Sequence, residues 1–434
     1  MSQCDVAVIG AGIVGSSIAF HLAQAGHRVL VIDKTAGPGE GSTSASSGIV
    51  RYEYSALESV ISAWESSFIW ADLRAYLDLP AGRPVAGFHR NGMLILDSPS
   101  FSREHLREHF NFVGIEYVEW DADQLAAQLP GIDTGVFYPP KRIDDDAFWD
   151  EPTERLGAVL TPQAGFVDDP RLAAQNFFEG AQLLGVQGLF RRRVTALAPL
   201  PDGAWRLTLD DATVVEAPVV VNAAGPWSGE VNRLAGVGAE FKIHTRPMRQ
   251  EVHPVAAPPG FNRPGAIGPV VTDEDLGYYL RPEPSGSLIV GGAEPECDPP
   301  TWVDGPVDQV DMNRTAALFE AQITRAARRF PGLAIPPRPA GVVGVYDVAD
   351  DWTAILDKTD APGFFVAIGT SGNNFKNGPV IGQYMTALIA AAAAGQDTDV
   401  APVVWRGPVT GLEVDLSFFS RLRELRSNVG SASG

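Results

Sequence analysis

The chain has 434 residues, with 33 Lys and Arg against 53 Asp and Glu, for a formal net charge of −20. That acidity excludes general binding to nucleic acid or anionic membrane, which need a cationic face, while local basic pockets stay compatible with it. A composition of 45% hydrophobic and 20% charged residues is that of a folded globule of about two to three domains.

Val6-Ala7-Val8-Ile9 is a short apolar run bounded by turn signals, the pattern of a buried parallel strand. It leads into Gly10-Ala11-Gly12-Ile13-Val14-Gly15, after which Ile18, Ala19, Leu22 and Ala23 recur at helical spacing until Gly26. Val29-Leu30-Val31-Ile32 then predicts a second strand ending at Asp33 and Lys34, which completes a βαβ unit. Gly10 permits the tight turn, Gly12 lets the backbone approach a pyrophosphate, and Gly15 lets the helix pack on the strand. The helix N-terminus at Ile13 and Val14 offers N–H groups and the positive end of its dipole. Asp33 can accept both ribose hydroxyls of an adenosine, and its charge disfavours a 2′-phosphate. An adenosine dinucleotide is expected, with NAD and FAD both open on this fingerprint alone.

Next comes Gly41-Ser42-Thr43-Ser44-Ala45-Ser46-Ser47-Gly48-Ile49-Val50-Arg51, whose small hydroxylated residues suit a pyrophosphate or a ring edge. It runs into a helical pattern carrying Val60, Ile61, Trp64, Phe68 and Ile69. Downstream stand Ala164-Gly165-Phe166-Val167-Asp168-Asp169-Pro170, then Val194, then Val219-Val220-Val221-Asn222-Ala223-Ala224-Gly225-Pro226-Trp227. Gly277-Tyr278-Tyr279-Leu280-Arg281-Pro282 and Ser287-Leu288-Ile289-Val290-Gly291-Gly292 follow. The last segment is Gly369-Thr370-Ser371-Gly372-Asn373-Asn374-Phe375-Lys376-Asn377-Gly378-Pro379. Pro379 suits a first helical turn, and Ile381, Met385, Leu388 and Ile389 continue at helical spacing.

Through these segments, and up to about Gly395, the chain resembles the D-amino-acid oxidase superfamily of flavoproteins, most closely its sarcosine oxidase and glycine oxidase branch. The resemblance implies an α/β fold, with a Rossmann-like FAD-binding domain and a second, α+β substrate domain built on an antiparallel sheet. The FAD-binding domain would be discontinuous, from residues 1–85, 150–240 and 340–400, and the substrate domain would comprise 86–149 and 241–339. Residues 401–434, with Arg421, Arg423, Arg426 and a Ser/Gly end, would form a short helix and a fraying tail. By the same resemblance FAD lies against Val194 at its adenine, against Ser42, Ser44, Ser46, Ser47 and Gly48, and beside Ala223, Ala224, Gly225 and Trp227. The loop Gly372, Asn373, Asn374, Phe375 and Lys376 would aim a helix N-terminus at the flavin, where it would stabilise charge on the reduced ring. Covalently flavinylated members carry a cysteine just before the tyrosine that matches Tyr346; Gly344 stands there, so the FAD is expected to be non-covalent.

Members that oxidise N-methylated amino acids hold the substrate carboxylate with two cations, and Arg51 and Lys376 occupy those positions. The implied substrate is a small amine bearing a carboxylate, oxidised at its C–N bond to an imine that hydrolyses. Of Tyr278, Tyr279 and Tyr346, the last two are the foremost candidates for the pocket wall. Sarcosine-type oxidases place a lysine where Ile289 stands, so the electron acceptor, molecular oxygen or another, stays open. Two alternatives remain: a 2-hydroxy-acid oxidoreductase, which the same cations would serve, and the FAD subunit of a multi-subunit sarcosine oxidase-like complex. An oligomer or a partner subunit is compatible with either.

His105-Leu106-Arg107-Glu108-His109 fits a zinc-peptidase pattern, but its Arg-Glu surroundings read as a solvated helix face and no metal is expected. Cys4 and Cys297 alone exclude a disulfide framework. Asp5 arrives before any apolar run, and the longest apolar helical run, Met385 to Ala394, is too short for a bilayer. A cytoplasmic protein without a membrane span is expected.

Overall fold

The computed structural model describes residues 2–263 and 265–426. Val6–Ile9, Ile13–Gln24 and Val29–Asp33 form the strand, helix and strand expected at the N-terminus. Among the described residues they seed a six-stranded sheet in the order Gln187–Phe190, Val29–Asp33, Val6–Ile9, Val219–Asn222, Phe364–Ile368, Ile355–Lys358. The first five strands run parallel and Ile355–Lys358 closes the edge antiparallel. Val6, Ala7 and Val8 are fully enclosed, as strands covered on both faces require.

The helix Ile13–Gln24 is packed between Pro170–Leu183 and Gly378–Ala393. Its His21 bonds the Tyr76 hydroxyl at 2.7 Å, and burial lowers its pKa to about 4, so it is a neutral core histidine. A smaller sheet, Ser2–Gln3, Val214–Ala217, Trp205–Leu209 and Val194–Pro199, flanks the parallel one.

A nine-stranded sheet builds the other half. Its order is Thr301–Trp302, Thr245–Ala256, Ser287–Gly292, Tyr278–Pro282, Val270–Asp273, Met93–Leu96, Ala158–Thr161, Val118–Trp120, with Val342–Ala349 also paired to Thr245–Ala256. The expected antiparallel sheet is found with one exception, because Val270–Asp273 runs parallel to Met93–Leu96. Two of its strands also depart from the expected boundaries. Ala158–Thr161 and Val342–Ala349 belong to segments assigned to the FAD-binding half, yet both hydrogen-bond into this sheet. Strand pairing crosses the motif-based boundaries because the chain leaves this sheet only after Thr161 and after Ala349.

The C-terminal segment adds a hairpin ahead of its one short helical turn. Val404–Arg406 pairs with Glu413–Asp415 as a hairpin, followed by a single 3-10 turn at Leu416–Phe419. Arg421 and Arg423 are buried on ion pairs with Asp357 and Asp399, and with Asp351, so they anchor this segment. The Ser/Gly end at 427–434 lies outside the described residues. Among the described residues no helix is long and apolar enough to cross a membrane.

Candidate functional site

One cavity of about 280 Å³ runs from the end of the second strand past the first helix to the loop before Gly378. Its glycine turn is dictated by backbone crowding. Gly10 has φ +108°, and a Cβ there would lie 2.3 Å from the Ala223 carbonyl oxygen. Gly15 does not reach the cavity: a Cβ on it would sit 2.0 Å from the Gly10 oxygen, which is the helix-on-strand contact expected of it. Gly12, Ile13 and Val14 do line the cavity. The helix has no side-chain cap at Gly12, and Ile13 N–H donates to Thr43 Oγ1 at 3.1 Å.

Asp33 is fixed by hydrogen bonds at one end of the cavity. Its Oδ2 accepts from Ala11 N–H at 2.7 Å, while Oδ1 accepts from Thr35 N–H and Thr35 Oγ1, both at 2.7 Å. Lys34, Val194, Ala223, Ala224, Gly225 and Trp227 line the same end, joined by Arg192 and Arg193, which the motif reading passed over. The run Arg191-Arg192-Arg193 directly before Val194 was the available signal.

Ser42, Ser46, Ser47 and Gly48 form the next stretch of wall. Ser42 donates to the Val345 carbonyl at 2.7 Å, and Ser47 shares a 2.6 Å hydrogen bond with the Tyr279 hydroxyl. Ser44 is a correction: it is exposed and turns back to the Gly41 carbonyl at 2.9 Å, because the segment is a 3-10 turn. Gly344 likewise stands off the cavity, with a Cβ there meeting the Ala45 Cβ at 3.0 Å. Among the described residues no cysteine lines the cavity.

Strand alternation sorts the tyrosines. Tyr278 and Leu280 point into the core with Leu288 and Val290, so Tyr279 faces the cavity. Tyr346 faces it too, packed on Gly372, where φ is +70° and a Cβ would lie 2.3 Å from the Tyr346 ring. Burial pushes the Tyr279 hydroxyl up to about 12, and both rings act as neutral walls. Ile289 lies opposite Arg281 in register. Arg281, missed by the motif reading, is buried 4.6 Å from the Phe166 ring, and burial lowers its pKa to about 10.

Gly372, Asn373, Asn374, Phe375 and Lys376 line the cavity as expected, ahead of the helix Gly378–Ala393. The loop is tied by Asn374 Nδ2 to the Thr370 carbonyl at 3.0 Å and by Asn377 Nδ2 to Asn374 Oδ1 at 2.9 Å. Beneath it, the Trp70 ring stacks on Phe375 at 5.3 Å and its Nε1 donates to the Lys376 carbonyl at 2.7 Å. Asp347, also on the cavity wall, accepts from Gly369 N–H at 2.6 Å, and burial raises its carboxyl to about 7.

Arg51 and Lys376 converge. Both are buried and line the cavity, and both approach the same ring, with Arg51 Cζ 4.6 Å and Lys376 Nζ 4.9 Å from the Tyr54 centroid. The Tyr54 hydroxyl and Lys376 Nζ both donate to the Asn373 carbonyl, at 2.9 and 2.6 Å. Burial, then the Arg51 charge, hold Lys376 well below the ordinary lysine range, with Glu53 opposing. Glu53 accepts from Thr161 Oγ1 at 2.6 Å and from Tyr52 N–H at 3.0 Å. Tyr54 and Glu53 carry no motif, and only the folded chain places them here.

On the helix Arg103–Val113 the His105 and His109 rings lie 5.3 Å apart, while Arg103 and Arg107 pair with Glu119. Among the described residues no group of three or more His, Cys, Asp or Glu could hold a metal ion.

A glycine cradle, an open helix N-terminus and a ribose-ready aspartate in one elongated cavity fit FAD. Comparison with known proteins agrees. The chain is 26% identical over 425 residues to FAD-dependent oxidoreductase domain-containing protein 1 of Mus musculus, covering 89% of this chain and 81% of that one. It is 26% identical over 287 residues to mitochondrial dimethylglycine dehydrogenase of Rattus norvegicus, covering 66% of this chain but 30% of that one. The crystal structure of glycine oxidase from Geobacillus kaustophilus superposes with a TM-score of 0.72 at 21% identity, covering 98% of this chain and 100% of that one. Residues 5–388 match the family described as DAO, FAD dependent oxidoreductase. The chain belongs to that family and is an FAD-dependent oxidoreductase related to amino-acid oxidases.

Proposed function

We propose that the chain oxidises the C–N bond of a small amine bearing a carboxylate, an N-alkyl or other amino acid. The observation that carries this reading is the convergence of Arg51 and Lys376, both in the cavity wall, on the Tyr54 ring. Arg51 and Glu53 are the charged groups that act on Lys376, and both cations reach the cavity wall. A substrate carboxylate held by Arg51 and Lys376 would gain charge-assisted hydrogen bonds. The names of the relatives, dimethylglycine dehydrogenase and glycine oxidase, point to the same substrate class.

Bound FAD, held without a covalent link, supplies the hydride acceptor. The protein anchors the carboxylate at Arg51 and Lys376 and walls the amine with Tyr279 and Tyr346. A neutral amine reacts without a strong side-chain base, so position and electrostatics are the contribution required of these residues. The resulting imine hydrolyses in water.

The test is the visible spectrum of the FAD-loaded protein mixed anaerobically with N-alkyl amino acids, D-amino acids and 2-hydroxy acids. Bleaching by carboxylate-bearing amines is the expected result, and readmitted air then separates an oxidase from a dehydrogenase. Bleaching by 2-hydroxy acids alone would overturn the amine assignment.

A further inference from the structure

We propose that Asp308 is a latch that controls FAD exchange, by fastening Lys34 and Trp227 into a roof over the adenosine end of the cavity. Lys34 follows the ribose-facing Asp33 at the end of one parallel strand, and Trp227 follows the neighbouring-but-one strand Val219–Asn222. Their side chains meet across the cavity, with Lys34 Nζ 3.5 Å from the Trp227 ring centroid. The far edge of that ring lies 3.8 Å from where a Gly41 Cβ would stand, so the roof reaches the start of the serine segment. Lys34, Trp227 and Gly41 all line the cavity.

One carboxylate holds this arrangement together. Asp308 Oδ1 accepts from Lys34 Nζ and, at 2.9 Å, from Trp227 Nε1, while Oδ2 accepts from Arg193 Nη2 at 2.5 Å. Arg193 lines the cavity as well, and its other acidic neighbour is Glu230 at 3.8 Å. Asp308 does not belong to the parallel sheet. It sits on the short turn Val307–Gln309, between the edge strand Thr301–Trp302 of the nine-stranded sheet and the helix Ala316–Arg329. The bond therefore spans the two halves of the molecule.

A dinucleotide cannot pass between Lys34 and Trp227 at a separation of 3.5 Å, so exchange over this end of the cavity needs the roof to part. Removing the Asp308 charge releases three donors at once. Because the Asp308 side chain is 41% exposed, salt also weakens the latch.

The experiment follows the fluorescence of FAD as it leaves the holoprotein after dilution and as it rebinds to the apoprotein, for the wild type and Asp308→Asn. Loss of a charge-assisted contact predicts release and rebinding each about tenfold faster in Asp308→Asn, with slow exchange restored in Asp308→Glu. Raised salt should accelerate exchange in the wild type, a readout that holds even where the variant fails to fold, and should leave the folded variant unmoved. Unchanged rates, salt-independent exchange in the wild type, or a change confined to release would each overturn the latch. A lower melting temperature of the apoprotein with unaltered exchange would show that Asp308 only joins the two halves, and would overturn it too.

Discussion

Lys376 is the residue whose chemistry is most exposed to test. Burial and the Arg51 charge favour its neutral form, so its folded pKa is depressed. The ammonium that anchors a carboxylate is then present below that depressed pKa and lost as pH rises through it. KM for an amino-acid substrate should accordingly climb with pH in the wild type. In Lys376→Arg the climb should vanish, since a guanidinium stays charged throughout. Lys376→Met should raise KM roughly a hundredfold below that depressed pKa, as expected for removing one partner of a buried charged contact, with the gap to the wild type closing above it. A wild-type KM that is flat across the same range would remove Lys376 from the anchor. At this scale the legible residues were those whose role follows from local pattern: Asp33 ends a strand, and Tyr279 rather than Tyr278 faces the cavity once the strand is phased. Tyr54, Glu53 and Arg281 were not legible, because their importance lies in neighbours far away in the chain: Lys376 beside Tyr54, Thr161 on Glu53, Phe166 against Arg281.

The elements that carry the cavity depend on close helix packing as much as on the glycine turn. Gly382 lies inside the helix Gly378–Ala393, where alanine is ordinarily favoured by about 1 kcal/mol. Here a Cβ would stand 2.4 Å from His21 Nδ1, 2.5 Å from Ser17 Oγ and 2.7 Å from the Ser17 carbonyl oxygen on the first helix. The carbonyl cannot swing aside, so overpacking at about 1–3 kcal/mol outweighs the propensity gain. Gly382→Ala should therefore lower the midpoint of denaturant unfolding, and a higher midpoint would show that the two helices separate cheaply. Helices and strands with a clean period, such as Ile13–Gln24 and Val219–Asn222, were legible at this scale. The C-terminal hairpin was not, because it is held by Arg421 and Arg423 on aspartates 22 to 72 residues away, and by Glu65 accepting from Val409 and Thr410 N–H. No local periodicity reports such pairs.

Across the whole molecule the cavity is walled by four separate stretches: the N-terminal βαβ unit with its serine segment, Arg192 to Leu234, the flavin-facing side of the nine-stranded sheet, and Val345 to Lys376. FAD would touch both halves, and so would stabilise only the state in which they are assembled. At a free concentration a hundred times its Kd, a ligand of the native state adds about 2.7 kcal/mol. An unfolding entropy of roughly 2.1 cal/mol/K per residue converts that into a rise in Tm of about 3 °C, provided all 434 residues unfold together. If only the half around the six-stranded sheet melted with the ligand, the same free energy would shift a smaller transition by about twice as much, and a second, FAD-independent transition would appear. Cross-sheet contacts such as Ser47 with Tyr279 and Asp308 with Lys34 favour the first outcome. Calorimetry of the apoprotein and the FAD-loaded protein should thus show one transition moving by the smaller amount. Two transitions, of which FAD moves one, would mean that the halves fold independently and that the cavity is closed by docking.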